Sequence, residues 1–181
     1  MDKLGYNIQV WNNNPILRTI SQQVEKIDQN IISFCRNLLR EMRLNKWVWL
    51  AAPQIWNNIR IISTTQRQKR QRGGKKNKLL GETIMINPKI LEKSNEMIVY
   101  EEACISLPDK TGNVKRHKII IVEFTDIKWN KQKRKYKDFN AVIIQHEIDH
   151  LDWILFTDKL CKNKSQKNKN KKTESNSNSA L

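Results

Sequence analysis

The sequence predicts an α+β fold in which small mixed or antiparallel strands pack around a central helix carrying the run Gln145 to Leu151, with a second helix near the N-terminus. Two segments keep apolar residues at helical spacing: Ile27, Ile31, Phe34, Cys35, Leu38, Leu39 and Met42 in the first, and Phe139, Val142, Ile143, His146 and His150 in the second. Short strand-like runs lie grouped between them, without the regular strand-helix alternation of a doubly wound sheet. No internal repeat is present.

In chain order, Pro15 to Arg18 follows an extended start, and the first helix spans about Val24 to Leu44. Its spacing makes Cys35 a core residue by default. Ile59 to Ile62, Thr83 to Ile86, Met97 to Tyr100, Lys118 to Phe124 and a basic Lys131 to Lys137 read as strands, punctuated by Asn87-Pro88 and Pro108. The second helix spans about Asn140 to Leu151.

A length of 181 residues with 38% hydrophobic content fits one folded domain, assigned here to residues 1–161. The net charge of +16 suggests nucleic acid, but its location matters more than its size. Seven basic residues and no acidic one fall between Gln66 and Lys78, and six lysines against Glu174 alone fall between Lys162 and Leu181, leaving about +4 elsewhere. The first stretch reads as a basic loop insertion over about 64–82, and the second as a disordered tail over 162–181. Either is a solvated extension or a contact with RNA. Ile119 to Val122, the longest apolar run, is too short for a bilayer, and no signal core follows Met1, so a cytoplasmic protein without a membrane partner is expected. Cys35, Cys104 and Cys161 are an odd number, which argues against a disulfide framework.

Chemistry concentrates in Gln145-His146-Glu147-Ile148-Asp149-His150-Leu151. On a helix, residues four apart share a face, so His146 and His150 can reach one divalent cation. Glu147 then sits beside the metal as a general base for water. A capped surface helix could carry the same pattern, but the apolar residues in phase with both histidines turn them toward a core or pocket. A catalytic site needs a third ligand. His117, in Lys115-Arg116-His117-Lys118, reads as a surface residue at a strand start, and Cys104, at a strand end among small and polar residues, is the better candidate. Its alternative is a buried structural thiol. Leu50-Ala51-Ala52-Pro53-Gln54 places an amide after a proline turn, where it could donate to a developing oxyanion.

Taken jointly and in this order, Leu50 to Gln54, Glu102-Ala103-Cys104-Ile105-Ser106 and Gln145 to Leu151 resemble the three motifs of peptide deformylases, over roughly residues 6–160. Asn87-Pro88 and Pro15 to Arg18 also fit. The resemblance implies one divalent metal on Cys104, His146 and His150, natively Fe(II) and replaceable by Zn(II), Ni(II) or Co(II). It implies removal of the N-formyl group from the initiator methionine of nascent polypeptides with release of formate. Glu147 would move the proton, and the Gln54 amide and the Ile105 N–H would hold the oxyanion. Val48, Tyr100, Phe139, Val142 and Ile143 are the candidates for a methionine pocket, with core packing as the competing role. Arg116 with Glu102 resembles a structural ion pair supporting the cysteine loop. A monomer is expected, with ribosome contact through the basic tail as a further partner reading.

One departure from the family pattern recurs. Where relatives have Gly-x-Gly before the first motif, this chain has Trp47-Val48-Trp49. Trp56, Trp129 and Trp153 likewise stand where glycine is usual, and Trp11 is a further case. Six tryptophans beside five glycines invert ordinary usage, in which glycine is about 7% of residues. A single cause covers all six: UGA codons that the gene reads as glycine, written here as tryptophan. If the tryptophans are genuine, the alternative is a deformylase-like protein with a blocked cleft. Two other classes remain, a generic H-E-x-x-H metallopeptidase and a basic RNA-binding module with a vestigial metal site.

Overall fold

The computed structural model describes residues 8–67 and 79–161; the core of the basic insertion, 68–78, and the tail, 162–181, lie outside them. Helix α1 spans Gln29–Leu44, and α2 spans Asp138–Leu151. The strands are β1 (Trp49–Ala51), β2 (Ile61–Arg67), β3 (Leu79–Lys93), β4 (Met97–Cys104), β5 (Leu107–His117), β6 (Ile119–Thr125) and β7 (Lys131–Lys137). An antiparallel sheet of order β1-β2-β3-β6-β7 forms the centre, and β4 pairs only with β5 in a separate hairpin. This is the expected α+β architecture.

Alternation along the strands divides the sheet into two cores. Leu50, Ile61, Ile84 and Ile86 face α1, where they pack with Cys35 and Leu38. Ala51, Ile62, Met85, Ile120, Val122, Phe124 and Tyr136 face α2, against Ala141, Ile144, Ile148 and Leu151. The β4–β5 hairpin lies across the other side of α2, with a third apolar cluster of Leu17, Cys104, Leu107, Val114, Leu155 and Phe156. Helix α2 is therefore central, buried at every residue from Ala141 to Leu151.

Four expectations change. Helix α1 begins at Gln29 rather than Val24 because Asp28 caps it, accepting from the Ile31 N–H at 3.0 Å. Val24 is instead held extended by the Asn87 side chain, which binds both its N–H and its carbonyl. Asn87-Pro88 does not end a strand: it sits in a bulge inside β3, where the register shifts between Ile86 and Lys89. At the flanks of the stretch expected as an insertion over about 64–82, residues 64–67 and 79–82 are paired strand, Thr64 with Thr83 and Thr65 with Glu82, and 68–78 lie outside the described residues. Strand β5 carries Pro108 and was not expected. Its pairing with β4, from Met97 with His117 to Cys104 with Leu107, places His117 at a strand end, half-buried against the Ser94 carbonyl at 2.7 Å.

Candidate active site and metal centre

Three elements converge beside α2. Cys104 ends β4 just before the two-residue turn Ile105-Ser106, and Gln54 lies in the 3-10 turn Ala52–Ile55, which Pro53 helps to start. His146 and His150 stand one helical turn apart, with ring centroids separated by 5.0 Å. Ligand atoms of Cys104, His146 and His150 all lie within 4.8 Å of one another, and Cys104 Sγ is 3.2 Å from His150 Nε2. They form the one such group among the described residues; His117 is not part of it.

Gln54 is fixed at both ends of its amide. Its Oε1 accepts from the Ala51 N–H at 2.8 Å, while Nε2 donates to Ser106 Oγ at 3.1 Å and lies 3.5 Å from Cys104 Sγ. The donor end thus lies beside the cysteine. Gln145 pins the helix to β5 by accepting from the His117 N–H at 3.1 Å and donating to the His117 carbonyl at 2.8 Å.

A buried chain of charges orients the first histidine. His146 Nδ1 lies 2.8 Å from Glu102 Oε2, and Arg116 clasps Glu102 with Nε to Oε1 at 2.7 Å and Nη2 to Oε2 at 2.8 Å. Arg116 Nη1 also donates to Asp149, whose carboxylate accepts from Lys159 Nζ at 2.6 and 2.7 Å. Burial alone would raise the Glu102 carboxyl, but hydrogen bonds from Arg116 and His146, with their charges, outweigh it and hold the group at about 2. A carboxylate on Nδ1 fixes the tautomer and leaves Nε2 available as a ligand.

The other groups are poised by burial. Glu147, fully buried, is pushed well above the ordinary carboxyl value by desolvation and by the charges of Glu102 and Asp149, with Arg116 opposing. Desolvation first, then His146 and Arg116, push His150 well below the ordinary imidazole value. Burial and the Glu147 charge push the Cys104 thiol up to about 12, against donors from Ser106 and Leu107. A His150 imidazole held neutral and a thiol that resists ionisation by itself are donors that a cation converts: coordination ionises the thiol. His146 Nε2, His150 Nδ1 and both Glu147 oxygens are buried without hydrogen-bond partners. Unpaired buried polar atoms are costly, and their clustering with the Cys/His/His group fits a divalent metal.

A cavity of about 360 Å³ opens onto Cys104, lined by Lys46, Trp47, Val48, Trp49, Ala103, Cys104 and Ile105. Of the five pocket candidates only Val48 lines it. Tyr100 and Phe139 pack on each other beside it, with ring centroids 5.4 Å apart, and Phe139 meets the Trp49 ring at 6.0 Å. Val142 and Ile143 are buried in α2 and are not lining residues, because the helix packs on all sides rather than along one stripe. Sequence reasoning missed Ser106, Asp149 and Lys159, and it gave Glu102 a structural partner but not its bond to His146. The position of Asp149 inside the histidine run was the available signal.

The chain matches the polypeptide deformylase family over residues 6–166. It is 38% identical over 148 residues to the peptide deformylase of Finegoldia magna, covering 82% of this chain and 85% of that one. It is 34% identical over 146 residues to that of Dictyoglomus thermophilum, covering 81% and 87%. Among solved structures, the Thermotoga maritima peptide deformylase superposes with a TM-score of 0.76 at 29% identity, covering 87% of this chain and 99% of that one. A Met-Ala-Ser-bound class I type b peptide deformylase from Acinetobacter baumannii gives 0.78 at 27% identity, covering 88% and 100%. With the fold, the three motifs and the matches over nearly the whole folded part in agreement, this chain belongs to the peptide deformylase family of hydrolases.

Proposed function

We propose that this enzyme removes the formyl group from the N-terminal methionine of nascent polypeptides and releases formate, using one divalent metal held by Cys104, His146 and His150. The observation that carries the reading is the buried convergence of those three side chains within 4.8 Å, with Glu147 unpaired beside them. A thiolate with two imidazoles suits Fe(II), with Zn(II), Ni(II) and Co(II) as workable replacements. Bound there, the ion supplies Lewis acidity that brings a water within reach of deprotonation near neutral pH.

The chain's own groups do the rest. Glu147 accepts the proton as the formyl carbon is attacked, and its desolvated carboxyl then returns that proton to the leaving amine. Gln54 Nε2 and the Ile105 N–H donate to the developing oxyanion. Glu102 holds the His146 ring, and Arg116 holds Glu102. The cavity beside Cys104 takes the methionine side chain, Val48 on its wall. The Acinetobacter baumannii relative solved with Met-Ala-Ser supports a peptide headed by methionine.

The deciding assay is formate release from formyl-Met-Ala-Ser by Fe(II)-loaded protein, measured beside Cys104→Ala. Formate from the first, with loss of stoichiometric metal and of formate in the second, is expected. Internal peptide cleavage without formate would replace this reading with a general metallopeptidase. Contact with the ribosome through the tail 162–181 extends the proposal; tail deletion should then weaken ribosome co-sedimentation at low salt. The enzyme is proposed to act as a cytoplasmic monomer.

A further inference from the structure

Eight non-glycine residues have left-handed backbone among the described residues, and four of them are tryptophan: Trp11 (φ 80°), Trp56 (φ 66°), Trp129 (φ 67°) and Trp153 (φ 61°). Three of the other four are Asn87, Asp109 and Asp138, of the types that tolerate this region. Tryptophan has no such tolerance, since its Cβ meets the same clash and its indole offers no local hydrogen bond.

Each of the four occupies a place where the chain needs that backbone. Trp56 closes the 3-10 turn Ala52–Ile55 as its left-handed cap. Trp153 follows the C-cap Asp152 of α2, and the next N–H, of Ile154, returns to the Asp149 carbonyl at 2.9 Å, a helix ending favoured by glycine. Trp129 closes the β6–β7 hairpin over Asp126, its N–H donating to the Asp126 carbonyl at 3.1 Å. Trp11 starts the turn whose Asn14 N–H returns to it at 3.2 Å. Burial does not compensate, for all four indoles are at least 52% exposed.

Trp47 and Trp49 have ordinary backbone, and space is the argument there. Both residues line the 360 Å³ cavity beside Cys104, and the Trp49 ring stands edge-on to that of Phe139. A hydrogen on Cα in place of either side chain would widen the approach to Cys104 and let a peptide backbone lie against β1.

We infer that all six positions are glycine in the protein the cell makes: four because the backbone requires it, and residues 47 and 49 because access to the metal centre does. Glycine then rises from 5 to 11 of 181 residues, close to ordinary usage of about 7%. The cause is a UGA codon translated as glycine. Residues 47 and 49 set what enters the cleft, a consequence that rests on the deformylase reading; the four turn positions do not depend on it.

The test separates the two groups. The gene should show UGA at codons 11, 47, 49, 56, 129 and 153, and peptides of the native protein should carry the glycine mass; UGG codons or tryptophan masses overturn the inference. In recombinant protein, changing Trp11, Trp56, Trp129 and Trp153 to glycine should raise the melting temperature by on the order of 10 °C. Glycine normally destabilises, so an unchanged or lower melting temperature counts against the backbone argument. Trp47→Gly with Trp49→Gly should not raise it, but should raise formyl-peptide turnover at least tenfold. If turnover is absent in every variant while the melting temperature and codons behave as stated, the deformylase reading fails and the glycine assignment stands.

Discussion

The two faces of the five-stranded sheet are built to different rules. Toward α1 the packed cluster is apolar, with Cys35 as an inert member whose thiol burial pushes up to about 11. Toward α2 and beyond it, Gln54, Glu102, Arg116, Gln145, His146, Glu147, Asp149 and His150 are all buried. Polar burial on that scale is costly unless partners meet it; the Lys159-Asp149-Arg116-Glu102-His146 chain meets it for four of these residues, while the Glu147 oxygens and His150 Nδ1 have no hydrogen-bond partner. One face stabilises, and the other holds chemistry at the cost of an all-apolar core. Two buried cysteines differ in their surroundings accordingly: Cys35 lies among apolar residues, and Cys104 beside two histidines.

The sharpest way to break this contrast is Glu147→Gln. It should reduce formate release by about 10²- to 10⁴-fold while metal content stays stoichiometric; equal loss of metal would assign Glu147 to coordination instead. On the other face, Leu38→Ala should cost about 2–5 kcal/mol in chemical denaturation, with kcat/KM per folded molecule unchanged. A fall in kcat/KM there would show that the faces are coupled. Glu102→Gln keeps the size but loses the charge that orients His146, and should weaken metal affinity about 10- to 100-fold in a chelator competition.

The smallest effect tests an ion pair outside both faces. The hydrogen bond from Arg18 holds the Asp158 carboxyl below its ordinary 3.8 despite some desolvation. A depressed folded value means that the stabilisation is complete above the unfolded value near 3.8 and is lost as pH falls through the lower folded one. With side chains 30% and 39% exposed, the pair contributes only about 0.2–1 kcal/mol. Arg18→Gln should therefore lower unfolding free energy by that amount at neutral pH and converge on the unmutated protein in acid. A constant difference at every pH would mean that Arg18 acts through its bonds to the Asn12 and Trp153 carbonyls instead.

The histidine helix, α1 and most strand centres were legible because hydrophobic period sets them locally. Elsewhere long-range pairing overrode the local pattern. Val24 and Ile27 keep helical spacing with Ile31, yet the Asn87 amide clamps Val24 extended from 63 residues away. Leu107–His117, with Pro108, Asp109, Gly112 and Asn113, reads as turn and loop, and becomes a strand through its pairing with β4. The proposed ligands His146 and His150 stand out by their four-residue spacing, and Cys104 by the joint resemblance of the three motifs. At the cavity wall Trp47, Val48 and Trp49 were legible as cleft residues, but their junction with the cysteine turn was not, because the two segments touch only after folding. Val142 and Ile143, chosen by nearness along α2, are buried within the packed helix, while Phe139 stands against Trp49 and Tyr100.

Helix α2 is enclosed from Ala141 to Leu151, so its backbone amides have no local route to water. Their hydrogen exchange should require global unfolding and be among the slowest in the chain. Two of the three proposed ligands, His146 and His150, stand on that segment, and Cys104 Sγ lies 3.2 Å from His150 Nε2. Under the proposed function, an ion held there would exchange either through the cavity beside Cys104 or by unfolding of the domain, and its retention time would report how open that cavity is.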